Sequence, residues 1–253
     1  MQSEAAVAIA AAHARGPARG VRRVLCLGAG GGPLPQLLAT RFGAATVDVV
    51  DESSAMDRDV LQALGLEVAS AQLGGRLAIH REPTDAFVAR QVAAGVEYDV
   101  VVTHHQGLSQ GLPRALRSDG FIRGVSALLR ADGGVAVQAF PGGEPPPNPV
   151  EIATGMFGPG WSCTTREGVR IGRAAAYYAA AGTKVFSLAT PNTDSVLLCA
   201  VSGGPLKKAA KQGGRALCAA LRQAVQAAQQ DEGELPLQDS AGRVSRGLSL
   251  CKV

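Results

Sequence analysis

From Val24 onward the apolar positions fall into short continuous runs, separated by segments whose apolar residues recur at helical spacing. VLCLG (24–28) predicts a strand, PLPQLLATRFG (33–43) a helix and TVDVVD (46–51) a second strand. The alternation continues with a helix over MDRDVLQALGL (56–66), a strand over RLAIH (76–80), a helix over TDAFVARQVAAG (84–95) and a strand over YDVVVTH (98–104). SDGFIRGVSALLR (118–130) predicts a helix capped by Ser118, and VAVQAF (135–140) the next strand. Strands that are apolar throughout are buried on both faces, so the pattern describes a parallel sheet covered by helices on each side, an open doubly wound α/β domain.

After Phe140 the pattern changes. PGGEPPPNP (141–149) is a loop, and residues 150–182 carry little beyond a short helical signal, GRAAAYYAAAG (172–182). KVFSLAT (184–190) and SVLLCAV (195–201) predict two strands joined by Pro-Asn-Thr-Asp, a hairpin. Residues 205–229 predict one amphipathic helix studded with Lys and Arg, and the tail 231–253 is mixed. At the other end, SEAAVAIAAAH (3–13) predicts a helix capped by Ser3. The alternative there is a targeting segment over 1–23, since Arg15, Arg19, Arg22 and Arg23 follow and Glu4 is the one acid before them. A single domain is expected over 1–253. Its parts are an N-terminal helix and linker (1–20), a core (21–140), an inserted segment (141–183), a terminal hairpin (184–204) and a C-terminal helix and tail (205–253).

Composition narrows the function classes. The chain is 46% hydrophobic and 18% charged, enough apolar content for a sizeable core. Its longest apolar runs have strand length, far short of the roughly 18 residues that cross a bilayer, so a soluble, cytoplasmic protein without membrane partners is expected. A net charge of +4 is spread among acids, which does not point to nucleic acid. The five cysteines include no CxxC pair, and Cys26 and Cys199 lie in apolar strands, the pattern of reduced, buried thiols. No metal site is expected, because the close nitrogen ligands His104 and His105 are adjacent and would point to opposite faces of a strand.

The sharpest chemical feature is LGAGGGPLP (27–35), between the first strand and the first helix. Gly28, Gly30, Gly31 and Gly32 allow a tight turn and close backbone approach to a ligand, with the N-terminal amides of the helix near Pro33 aimed at it. The bland alternative is a glycine turn that only closes a strand-helix unit. Asp51 ends the second strand 23 positions after Gly28, and a carboxylate there can accept two hydrogen bonds from a ribose diol. It could equally be a helix cap or a solvated turn acid.

The run VLCLGAGGGPLPQLLATRFG…VDVVDESSAM resembles the class I S-adenosylmethionine-dependent methyltransferases, most of all the spermidine-synthase-like branch that includes the C-terminal domain of the elongation factor 1-alpha lysine and N-terminal methyltransferase. SEAAVAIAAA, FIRGVSALLRADGGVAV, the 184–201 hairpin and the ending GRVSRGLSLCKV are similar to the matching parts of that group; residues 150–175 are not. The resemblance implies a mostly parallel seven-stranded sheet of order 3-2-1-4-5-7-6 and S-adenosyl-L-methionine as cofactor. Gly28, Gly30 and Gly32, in a loop that also contains Gly31, would cradle the methionine part and Asp51 the ribose. Glu82, or Asp85 with a slip, would stand for the acid near the adenine.

Where aminopropyltransferases of the branch carry a polyamine-binding acid after the fourth strand, this chain has Thr103-His104-His105-Gln106, which argues against polyamine substrates. His104 or His105 could accept a proton from an attacking nitrogen or hydrogen-bond the substrate; alternatively one is packed and the other solvated. Trp161, Tyr177 and Tyr178 are candidates for a substrate cleft or for core anchors. The expected activity is methyl transfer to a protein amine, the protein docking over the strand tips between the Gly-, Pro- and Arg-rich segments 104–117 and 141–175. The competing readings are a non-catalytic interaction domain of the same fold, an aminopropyltransferase, and an NAD-binding dehydrogenase, the last disfavoured by Pro33 in place of a third glycine. The oligomeric state has no sequence signal.

Overall fold

One sheet organises the chain. Its strands are β1 (Arg23–Leu27), β2 (Thr46–Val50), β3 (Leu77–His80), β4 (Val100–Thr103), β5 (Val135–Pro141), β6 (Lys184–Thr190), β7 (Ser195–Val201) and β8 (Leu248–Leu250). They lie in the order β3-β2-β1-β4-β5-β7-β6-β8. The helices are α1 (Pro33–Arg41), α2 (Leu66–Gln72), α3 (Thr84–Ala93), α4 (Asp119–Leu128), α5 (Gly204–Gln212) and α6 (Gly214–Glu232). The computed structural model describes residues 20–28, 33–41, 45–52, 62, 65–103, 118–141, 183–190, 195–232 and 248–250. The expected helices at 3–13 and 172–182, and most of the one at 56–66, lie outside these.

β1 to β5 are mutually parallel, whereas β7 is antiparallel to β5 and β6 antiparallel to β7. This is the doubly wound order expected from the alternation, with the terminal hairpin added at one side. The central strands are buried on both faces, as their unbroken apolar runs require. The face bearing Leu25, Leu27, Val50, Val101 and Ala136 shares a core with Phe87 and Val88 of α3 and with Phe121, Ile122, Val125 and Leu128 of α4. Gly124 lets these two helices close up, since a Cβ there would stand 2.6 Å from Val88 Cγ1. The opposite face buries Val24, Cys26, Val47, Val49, Val100 and Val102. α1, with Leu34 and Leu38 fully buried, runs along β2 and β3.

Ser118 caps α4, its hydroxyl accepting the Phe121 N–H at 3.1 Å. Three features differ from the sequence expectation. The helix expected over 205–229 is two helices, divided at Gly213, whose φ of +114° ends α5 and lets the chain restart as α6. A helix, α2, begins at Leu66, where the expected helix stopped, because Gly65 turns the chain at φ +68° and LEVASAQ follows with good helix formers. The mixed tail contributes an eighth strand, β8, antiparallel to β6. Three residues are too few for a periodicity signal, and their pairing depends on the β6 edge being open. Among the described residues, no helix is long and apolar enough to cross a membrane.

Candidate functional site

Parallel strands bring their carboxyl ends to one edge, and the sheet order reverses direction between β1 and β4, the place where doubly wound sheets open a crevice. At this switch point Leu27 is in register with Val50 on one side and Thr103 on the other, and Val50 with His80. Gly28 therefore leaves β1 directly beside Asp51. Its N–H donates to the Val50 carbonyl at 2.7 Å, and the Asp51 N–H donates to the His80 carbonyl at 3.2 Å. Gly28 is buried at φ +96°, a conformation that strains any residue with a Cβ, so this glycine is required by backbone geometry. α1 begins five residues later at Pro33, where a missing N–H costs the helix nothing.

The predicted site residues divide as follows. Gly28 and Asp51 are brought together at the β1 and β2 tips, with Asp51 half-buried. Glu82 lies two residues beyond β3 on the same edge and forms an ion pair with Arg90 of α3, whose guanidinium covers the Phe87 ring at 5.0 Å. Gly30, Gly31, Gly32, His104 and His105 lie outside the described residues, as do Trp161, Tyr177 and Tyr178. Thr103, which His104 follows, sits on the β4 tip next to β1.

Two polar residues, Gln138 and Asp48, were not singled out in the sequence. Gln138, in the middle of β5, is in register with Thr103 at the end of β4, each only 1% exposed, so a buried polar pair lies just inside the β4 tip. The signal was a Gln inside the apolar run VAVQAF. The second is Asp48, within β2 and 6% exposed. It accepts from His80 Nε2 at 2.8 Å, Tyr98 Oη at 2.9 Å and Arg23 Nε at 3.2 Å. His80 also packs on Phe87, with ring centroids 4.8 Å apart, and Arg23 lies over the Tyr98 ring at 5.0 Å. An acid in the middle of TVDVVD was the available clue, because a buried carboxylate must be hydrogen-bonded.

These surroundings set two ionisations. Burial first, and the Asp48 carboxylate second, push the Cys26 thiol up to about 12, so it is held as an inert thiol in the core. The same two causes in the same order raise the Tyr98 phenol well above its ordinary range. A second acid, Asp99, is fully buried at the opposite, amino edge of the sheet. One of its oxygens accepts the backbone N–H groups of Arg22 and Arg23 at 2.8 and 2.9 Å, and the other faces Arg130 Nε at 3.5 Å, which ties the entries of β1 and β4 together far from the switch point.

No family model matches the chain, and no curated protein matches it. Solved structures do. Human methyltransferase-like protein 13, in complex with SAH, is 16% identical, with 93% of each chain covered and a TM-score of 0.56. Spermidine synthase from Thermotoga maritima is 15% identical at a TM-score of 0.50; the match covers 80% of this chain but only 60% of the synthase. Neighbours of this kind show the fold, which is that of the class I S-adenosylmethionine-dependent methyltransferases and the spermidine synthases.

Proposed function

We propose that the protein is an S-adenosylmethionine-dependent methyltransferase and that its acceptor is a protein amine. The observation that carries this reading is the placement of Gly28 and Asp51 at adjacent strand tips, at the switch point of a sheet with this strand order. A buried glycine at φ +96° makes a backbone turn that a residue with a Cβ would strain, and the neighbouring carboxylate is an acceptor suited to a ribose diol, so the residues present fit the cofactor. Gly28 would border its methionine part, Asp51 would hold its ribose, and Glu82, on the same edge, would face its adenine. The bound cofactor supplies an electrophilic methyl group.

What remains for the protein is to align the acceptor and to leave its nitrogen neutral. His104 and His105 directly follow the β4 tip in sequence and have the right chemistry to accept that proton. A protein acceptor is favoured over a polyamine because Thr103-His104-His105-Gln106 offers no carboxylate to a cationic diamine. The Gly-, Pro- and Arg-rich composition of 104–117 and 141–175 suits a partner that brings its own shape better than an enclosing apolar lid.

Calorimetric titration with S-adenosylhomocysteine tests the reading. Wild type should bind, and Asp51→Ala should lose about 1.5–3 kcal/mol, the size of hydrogen bonds to a charged group. Incubation of the wild type with methyl-labelled cofactor and cell extract should label protein. Absence of binding at millimolar ligand refutes the cofactor assignment, and label confined to small metabolites refutes the acceptor class.

A further inference from the structure

Asp48 stands in the middle of β2 where a valine would serve the sheet as well, and burying a carboxylate costs several kcal/mol before its partners offset it. Its three donors come from three other places in the sheet: Arg23 opens β1, His80 ends β3 and Tyr98 precedes β4. The Tyr98 and Arg23 contacts lie toward the amino edge. His80 differs, because it is also the last residue of β3 in register with β2, and its backbone carbonyl accepts the N–H of Asp51. One residue thus grips Asp48 with its side chain and Asp51 with its main chain, three positions apart on the same strand exit.

We infer that Asp48 and His80 are positioning residues for Asp51. The Asp48–His80 bond fixes the β3 tip against β2, and the fixed His80 carbonyl sets where the Asp51 main chain leaves the sheet and hence where its carboxylate is presented. The Phe87 ring packed on His80 limits the imidazole on the side facing α3. Without the bond the β3 tip keeps its apolar packing and its backbone ladder to β2 but loses the side-chain anchor that narrows its position. This inference rests on the reading of Asp51 as the ribose acceptor.

A double-mutant cycle on the full chain, read as S-adenosylhomocysteine affinity, tests it. His80→Leu removes the donor and keeps bulk on Phe87; it should weaken binding about tenfold, the lower end of what losing the partner behind a metal-holding group costs. In the Asp51→Ala background the same change should alter affinity by no more than about twofold, because the group being positioned is gone. His80→Gln, which again offers Asp48 an amide donor, should restore most of the affinity. His80→Asn, too short to reach Asp48, replaces His80→Leu in the cycle if the latter does not fold. Equal losses in both backgrounds, or no loss in the wild-type background, overturn the positioning role while wild-type binding and the Asp51→Ala loss leave the cofactor reading intact. Failure of the wild type to bind overturns both.

Discussion

Replacing Tyr98 with Phe removes one of three side-chain donors from the Asp48 carboxylate and leaves the ring where it is. The ring is fully buried, and the main chain on either side is tied down, Tyr98 N–H donating to the Leu128 carbonyl at 2.7 Å and Arg130 N–H donating to the Tyr98 carbonyl at 2.9 Å. No cavity large enough to collapse is created, so the cost is that of the 2.9 Å bond to Asp48. A hydrogen bond to a charged group contributes about 1.5–3 kcal/mol, and Asp48 keeps His80 and Arg23, which places the loss within that interval. For a chain of this length each kcal/mol moves the midpoint by about 2–4 °C, so Tm should fall by about 3–12 °C, with the urea midpoint lowered and the m-value unchanged. A second readout comes from pH. Because the folded phenol is raised above its ordinary value of 10.0, the folded state retains a proton that the unfolded chain gives up above that pH. The stability it contributes is therefore complete below about pH 10 and is lost as pH rises beyond it, at up to about 1.4 kcal/mol per pH unit. Tyr98→Phe should lower stability at neutral pH yet flatten this alkaline loss. A destabilisation under about 0.5 kcal/mol, the range of ordinary surface changes, together with an alkaline slope identical to wild type, would refute the assignment of Tyr98 as a donor to an ionised Asp48.

Further expectations concern the core and the amino edge. Cys26 should resist thiol reagents in the folded protein at pH 8 and react once urea unfolds it, read by mass spectrometry of its peptide; labelling of the native state would contradict a thiol raised to about 12 by burial. Gly203→Ala would place a Cβ 2.3 Å from the Ala131 carbonyl oxygen and 2.9 Å from the Gly133 nitrogen, both main-chain atoms that cannot rotate aside. It should cost at least about 1–3 kcal/mol by urea unfolding while leaving S-adenosylhomocysteine affinity unchanged, since it lies at the amino edge and the site lies at the other.

The order of the strands through β5, with α1, α3 and α4 between them, was legible in the sequence because each strand is a short, mostly apolar run that must be buried on both faces, and each of these helices repeats its apolar residues over turns of its own; α2 was not. VLCLG, TVDVV and YDVVVTH could not have been half-exposed strands, so a covered parallel sheet was the remaining arrangement. The hairpin was legible through its turn residues. Gly28 and Asp51 could be nominated because glycine before a helix and an acid at a strand end are local features, but their adjacency is not local: it comes from the one-to-one register of β1 on β2, which puts positions 23 apart side by side. The same holds for Asp48. A lone acid in an apolar strand told of a partner without saying which, and only the folded sheet chose Arg23, His80 and Tyr98, from 25, 32 and 50 residues away. β8 and the break at Gly213 were decided at the same level. A three-residue strand has no period of its own and exists only because β6 presents an open edge, and a helix that reads as continuous can divide where a glycine adopts φ +114° to let two segments pack differently. Local pattern determines which segments are buried and on which faces; which buried groups meet is a property of register and crossover, and those exist only in the assembled sheet.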